Sequence, residues 1–177
     1  MRSSLILVVR RPVSLIGGKN MIRSKLALML ATIAFSAQAA AAVPPDAKMW
    51  NGAWHLNVAA SKWGGPGKEQ GETRSYDYSG GKLSMKSSFK DAAGKETNFS
   101  YSAACDGKPA PMIGNPRADS ISLTCVSGRE INAASSLKGN VTVQSTGTVS
   151  ADGKHLTLKR TYVSLKGAPT EVLEFTR

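Results

Sequence analysis

Apolar and polar residues alternate in short runs from about residue 54 to the end of the chain, and each run closes at Gly, Asp, Asn or Pro. Because successive side chains of a β-strand point to opposite faces, this period of two predicts strands with one buried face. The nine predicted strands are Trp54–Val58, Arg74–Tyr78, Lys82–Phe89, Thr97–Cys105, Ser120–Val126, Arg129–Leu137, Val141–Ser150, His155–Val163 and Glu171–Thr176.

The links between most of these strands are short and rich in Gly and Asn, as in Gly80-Gly81 and Asp152-Gly153. Such residues supply the positive φ of tight hairpins, so strands that follow one another in sequence are expected to pair antiparallel. Eight or nine such strands form either a sandwich or an up-and-down barrel, and closure of a barrel removes exposed edges. We therefore predict an all-β, antiparallel up-and-down barrel with two long loops, Ala59–Thr73 and Asp106–Asp119.

The predicted inward faces carry aromatic residues on early strands and small residues on later ones. Small side chains opposite aromatic ones leave volume for a small apolar ligand, although they also suit the taper of a solid barrel. The predicted pocket lining is Tyr76, Met85, Phe99, Tyr101, Ser135, Ser145 and Gly147.

The segment before the strands has the organisation of an export signal. After Met21 come Arg23 and Lys25, a short apolar run and an Ala-x-Ala exit at Ala39, which together are typical of a cleaved secretory signal peptide. We assign residues 21–39 to this signal, residues 1–20 to a misassigned start or an extended basic region, and residues 40–177 to the barrel. The predicted destination is the bacterial periplasm or the exterior, with no stable membrane insertion after processing.

The net charge of the mature chain is ordinary. The whole chain of 177 residues carries 23 Lys and Arg against 12 Asp and Glu, but six of the basic residues precede residue 40. Residues 40–177 thus hold a charge of +5, which together with export and inward aromatic residues argues against nucleic-acid binding.

Five blocks in order resemble a group of secreted bacterial lipocalin-like proteins of unassigned role. The blocks are Gly52-Ala53-Trp54-His55-Leu56-Asn57 with Ala60-Ser61-Lys62-Trp63, then Thr73-Arg74-Ser75-Tyr76, Asp106-Gly107-Lys108 with Gly114-Asn115-Pro116, Asp119-Ser120-Ile121-Ser122-Leu123, and Ser150-Ala151-Asp152-Gly153-Lys154. The resemblance implies a calycin-type barrel of eight or nine strands with Trp54 near its closed end. It also implies a basic residue stacked on Trp54, for which Arg160 is the candidate because it shares a face with Leu158 and Tyr162.

Few residues are placed for chemistry. Cys105 and Cys125 fall on the apolar phase of adjacent predicted strands and are expected to form a disulfide, with two buried thiols as the alternative. His55 and His155 fall on polar faces, without carboxylates or cysteines at the spacing of metal ligands. Glu171, like Glu174, Asp106 and Asp119, is expected to be an exposed acid of a strand or turn. No catalytic residue, metal site or cofactor is predicted.

The leading functional hypothesis is therefore an exported barrel that binds a small apolar or amphipathic molecule without catalysis. The alternative is a solid barrel whose long loops contact an envelope protein or inhibit an enzyme. A cofactor-free enzyme working inside the pocket is the third hypothesis, and the protein partner, if one exists, is not identified by the sequence.

Overall fold

A computed structural model describes residues 45–177 of the protein, so the proposed segments 1–20 and 21–39 lie outside the described residues. A short 3-10 helix, Pro45–Trp50, precedes ten strands. The strands are β1 (Gly52–Leu56), β2 (Gly71–Ser79), β3 (Lys82–Lys90), β4 (Glu96–Ala104), β5 (Asp106–Ile113), β6 (Ser120–Cys125), β7 (Glu130–Leu137), β8 (Asn140–Val149), β9 (His155–Thr161) and β10 (Thr170–Thr176).

The ten strands close into one antiparallel barrel in which each strand pairs with its neighbours in sequence. The ring closes because β1 pairs with β2 on one side and with β10 on the other, where His55 lies opposite Thr176. The antiparallel up-and-down barrel is therefore confirmed, with ten strands rather than eight or nine. We call the end where β2 begins and β9 ends the mouth, and the end where β1 begins the floor.

The additional strand is β5, which occupies most of the segment that the sequence predicted as a loop, Asp106–Asp119. Pro109 and Pro111 cannot donate to a ladder and therefore indicated a loop. In β5 the N–H of Met112 donates to Asp119 O on the β6 side, which turns the nitrogen of Pro111 toward β4. Pairing between β4 and β5 is confined to Ser100 with Ile113 and Tyr101 with Met112, so proline is tolerated there.

The alternating pattern gives the barrel its core. Trp54, Leu83, Leu123, Leu156 and Phe175 are at most 1% exposed, and their side chains come from five different strands around the ring. Apolar area removed from water in this way is the main stabilising contribution of a small barrel.

The floor is closed by the 3-10 helix and two tryptophans. Trp50 is buried, its ring meets that of Tyr76 edge to face at 5.5 Å, and its carbonyl accepts the indole N–H of Trp54 at 2.9 Å. The cation over Trp54 is Arg177, whose guanidinium carbon lies 4.4 Å from the ring centroid. The prediction that Arg160 stacks on Trp54 is therefore wrong, because Arg160 lies near the other end of β9.

The alternation of Val141, Val143, Ser145, Gly147 and Val149 predicts that Val141 points into the barrel, but Val141 turns outward. Val141 is 42% exposed because a bulge in the β7–β8 pairing sets Ser135 opposite Val143 but Ser136 opposite Val141. The extra residue, Thr142, shifts the alternation by one position at the start of β8.

Cys105 and Cys125 form a disulfide that joins the β4–β5 corner to the end of β6, as the sequence predicted. Neither of the described cysteines is free. Within residues 45–177, none of the helical structure has the length and apolar character needed to cross a membrane.

Candidate ligand-binding cavity

A cavity of about 130 Å³ lies inside the barrel and reaches toward the mouth. All seven residues predicted to line a pocket line this cavity: Tyr76, Met85, Phe99, Tyr101, Ser135, Ser145 and Gly147. The period of two therefore brings them to one interior surface from β2, β3, β4, β7 and β8. Their role in binding a ligand stays a prediction.

Gly147 lines the cavity, but the space that its missing side chain leaves is filled. A Cβ at Gly147 would lie 2.7 Å from the ring of Trp50 and 2.8 Å from Leu158. The glycine therefore makes room for the tryptophan of the floor rather than for a ligand.

The part of the cavity lining near the mouth is charged. This feature was not predicted from the sequence. Glu72 and Arg74 are both buried on the inward face of β2, with side chains that are 1% and 9% exposed. Arg74 donates to the Glu72 carboxylate from Nε at 2.7 Å and from a terminal nitrogen at 3.2 Å. Ser87 of β3 donates to the same carboxylate at 2.5 Å, so Glu72 is held from two strands.

A second arginine joins this pair to two further carboxylates. Arg160 of β9 lies 3.2 Å from Glu171, 3.5 Å from Glu69 and 3.6 Å from Glu72. Tyr162 donates its hydroxyl hydrogen to Glu171 at 2.5 Å. We call Glu69, Glu72, Arg74, Arg160 and Glu171 the charged cluster.

Burial in this cluster shifts the pKa of its acids in opposite directions. Burial raises the pKa of Glu69 from 4.5 to about 7, and the negative charge of Glu72 adds to the rise. Burial alone would also raise the pKa of Glu72, but the charges of Arg74 and Arg160 outweigh it and hold that pKa below its ordinary value. Glu72 is therefore ionised at neutral pH, whereas Glu69 exchanges its proton near pH 7.

Two tyrosines of the lining, Tyr101 and Tyr162, stay protonated at neutral pH. Burial raises the pKa of Tyr162 to about 12, and burial next to Tyr76 raises the pKa of Tyr101 well above its ordinary value. Their hydroxyl groups thus act as neutral hydrogen-bond donors and acceptors.

Glu69 reaches the cluster from the loop between β1 and β2. The loop is fastened to β10 by a pair of hydrogen bonds, each 2.8 Å long, between the backbones of Lys62 and Val172. A side chain at Gly65 would collide with the ring of Tyr162 and the carboxylate of Glu171. The glycine therefore lets the loop lie directly on the cluster, and the loop then enters β2 two residues after Glu69.

The expectation that Glu171 is an exposed strand acid is wrong, since its side chain is only 1% exposed. The alternation of the sequence did contain evidence that these charged residues face inward. Glu72 and Arg74 share the phase of Tyr76, and Glu171 shares the phase of Leu173 and Phe175. Glu171 was expected to be an exposed strand acid and Glu72 fell in the predicted loop Ala59–Thr73, whereas the folded loop and its neighbours bury both.

The histidines do not belong to the site. His55 and His155 are exposed, as predicted, and they lie on either side of Thr176 in the strand register. Within the described part of the chain, no group of three or more His, Cys, Asp or Glu residues is placed to hold a metal ion.

No protein-family model matches the chain, and no curated protein matches it. Among solved structures, the chain is similar to a redesigned β-barrel, mFAP0, bound to DFHBI. The two share 12% identity, with 73% of this chain and 99% of that chain covered and a TM-score of 0.34. At this distance the similarity adds nothing to the fold, which the strand pairing establishes.

Proposed function

We propose that the barrel binds a small amphipathic molecule in its interior cavity, without changing it chemically. The observation that carries this proposal is the division of the lining into an apolar side, with Met85, Phe99 and Tyr101, and a charged side, with Glu72 and Arg74. Binding pockets are typically apolar with a few fixed polar groups that orient the ligand.

The volume limits the size of the ligand. A cavity of about 150 Å³ lined by apolar residues holds benzene, so the 130 Å³ here suits a single ring or a short chain with one polar group. The edge-to-face pair of Phe89 and Phe99, with centroids 6.1 Å apart, provides a rigid aromatic wall for such a group.

We further propose that the protein works outside the cytoplasm of a bacterial cell after removal of residues 21–39. The disulfide between Cys105 and Cys125 supports this proposal, because disulfides persist in oxidising compartments.

Ligand binding is tested by titrating the purified protein with single-ring amphiphiles and following heat or tryptophan fluorescence. Ser145→Leu places a bulky side chain in the cavity, whereas Thr148→Leu places the same side chain on the exposed face of β8. We expect saturable binding that is weakened at least tenfold by the first substitution and unchanged by the second. Equal affinities in both variants, or no saturable binding to the wild type, would refute an interior site.

A second candidate function is supported by apolar side chains around the mouth. Ile113, Val141, Val163 and Leu165 are 69%, 42%, 38% and 42% exposed, and exposed apolar surface is a common feature of sites that bind other proteins. Ile113 falls in the predicted long loop Asp106–Asp119, where the structure has the end of β5, whereas the other three lie on turns and strand ends outside both predicted loops. If this surface binds a protein of the cell envelope, Leu165→Lys abolishes recovery of that partner while ligand affinity is unchanged. Equal recovery by wild type and variant argues against it.

A further inference from the structure

The charged cluster contains one more acid than base. Its three carboxylates, Glu69, Glu72 and Glu171, face two guanidinium groups, Arg74 and Arg160, and the ion pairs among them all lie within 3.6 Å. When Glu69 is ionised, the cluster therefore carries one uncompensated negative charge in a buried site. A buried charge of this kind is costly unless it is paired.

Two oxygens of the cluster also lack a donor. Oε2 of Glu69 and Oε2 of Glu171 are buried, and neither accepts a hydrogen bond within the residues that the structure describes. The Glu171 side chain is 1% exposed, and Glu69, which is 12% exposed, also lines the cavity. Buried carboxylate oxygens accept hydrogen bonds in most proteins. The Glu171 oxygen lies against Gly65 of the β1–β2 loop, so the Glu69 oxygen is the acceptor for which a ligand in the cavity can supply a donor.

The apolar side of the cavity also favours a ligand group that carries a positive charge. Tyr76, Phe99 and Tyr101 present aromatic rings to the cavity, and such rings attract cations as well as other rings. Arg117 also lines the cavity, but it is exposed at the mouth, where salt and water screen its charge.

From this excess of negative charge, the unpartnered oxygen of Glu69 and the aromatic lining, we infer that the ligand is a small cationic amphiphile, such as a primary amine on a single ring or a short chain. This inference rests on the proposed ligand-binding function. The ammonium group would donate to Glu69, and its hydrocarbon part would contact Phe99 and Tyr101. An ammonium has three N–H donors, which suits carboxylate oxygens that have no other donor.

Binding of a cation beside Glu69 depends on pH. Glu69 faces Glu72 and Arg74 of β2 and Arg160 of β9, and Glu171 of β10 and Tyr162 lie on the other side of Arg160. Since Glu69 releases its proton near pH 7, a cation binds more tightly as the pH rises from 6 to 8. If binding needs the ionised form, the affinity rises about tenfold over this range.

The test uses three probes of the same ring size: benzylamine, benzyl alcohol and benzoate. Their affinities for the full-length protein are measured by calorimetry at pH 6 and pH 8, where benzylamine remains a cation and benzoate an anion. We expect benzylamine to bind at least tenfold more tightly than the other two at pH 8 and to lose about tenfold at pH 6. The affinity of benzyl alcohol is expected to stay constant.

Glu69→Gln removes the ionisable group and keeps the shape of the side chain. It is expected to abolish the pH dependence and reduce benzylamine to the affinity of benzyl alcohol, whereas Glu96→Gln, at an exposed carboxylate of β4, leaves both unchanged. Equal or tighter binding of alcohol or benzoate, or a pH-independent affinity for the amine, overturns the cationic ligand but leaves the cavity as a binding site. Failure of all three probes to bind overturns the inference together with the proposed function.

Discussion

Glu69 makes the folding stability of the barrel depend on pH in a range where most carboxylates no longer titrate. The folded protein holds the proton of this group up to about pH 7, whereas the unfolded chain releases it near 4.5. The folded state therefore binds more protons than the unfolded state between these values, and stability falls as the pH rises through this window. The stabilising contribution of protonated Glu69 is fully present below pH 4.5 and is lost above about pH 7.

The magnitude follows from the two pKa values. Each unit of difference corresponds to about 1.4 kcal/mol, and integration from pH 5 to pH 8 gives a loss of about 2–3 kcal/mol. Screening by solvent reduces this figure little, because the Glu69 side chain is 12% exposed. Glu72 acts in the opposite direction and in a different window: because its pKa is lowered, its stabilising contribution is present above the ordinary pKa of a glutamate and is lost only as the pH falls into the acid range.

The assay is chemical denaturation at pH 5, 6, 7 and 8, with the free energy of unfolding compared between wild type and Glu69→Gln. We expect the difference between the two proteins to change by about 2–3 kcal/mol across the series, with the variant gaining relative stability as the pH rises. Glu96→Gln, which removes an exposed carboxylate of β4, is the control and is expected to follow the wild type. Parallel curves for wild type and Glu69→Gln would refute the burial of an acid with a raised pKa at this position.

Three further predictions concern the frame around the cavity. Replacing both cysteines by serine is expected to lower the free energy of unfolding by about 3 kcal/mol, the chain-entropy value for a sequence separation of 20 residues, as measured by urea denaturation without reductant. Gly147→Ala is expected to cost about 1–3 kcal/mol because its methyl group overlaps Trp50, and a second substitution, Trp50→Phe, should recover part of that loss in a thermal melt. Arg177→Gln and Trp54→Phe are expected to show a coupling of about 0.5–1 kcal/mol in a double-mutant cycle, and strictly additive effects would contradict the stacking.

The architecture followed from the sequence because it depends on local signals. Alternation sets the buried face of each strand, and Gly-containing turns such as Gly80-Gly81 fix antiparallel order between neighbours. The same alternation brought Tyr76, Phe99 and Ser145 to one interior surface, since residues two apart share a face. These predictions needed no knowledge of how the ring closes.

The sequence predictions were wrong where the effect of a residue depends on how the neighbouring strand pairs with it. Two prolines hid β5, because the missing N–H of Pro111 matters only if the neighbouring strand needs it. The bulge at Thr142 reversed the orientation of Val141, and a single inserted residue leaves no mark in the alternation.

The charged cluster depends on contacts that are distant in sequence. Arg160 meets Glu69 across 91 residues, and this contact exists because the ring closes and the β1–β2 loop is fastened to β10. Arg160 was assigned to Trp54 from its phase on the strand, which was right about the face and wrong about the end of the barrel. The face on which a residue lies follows from its phase in the alternation. Which charges meet depends on its position along the strand, and this is set by the register between strands.

The energetics of the cluster argue that it is retained for function rather than for stability. A buried network of ion pairs contributes little net stability, because removing the charges from water costs about as much as their attraction returns. Glu69 lowers the net stability further at neutral pH, since the folded barrel then buries an ionised carboxylate that the unfolded chain would keep in water. Apolar side chains at these inward positions would fill the cavity and stabilise the barrel. Residues that oppose the folding pattern in this way are typical of functional sites, and here they lie beside the aromatic side of the described cavity.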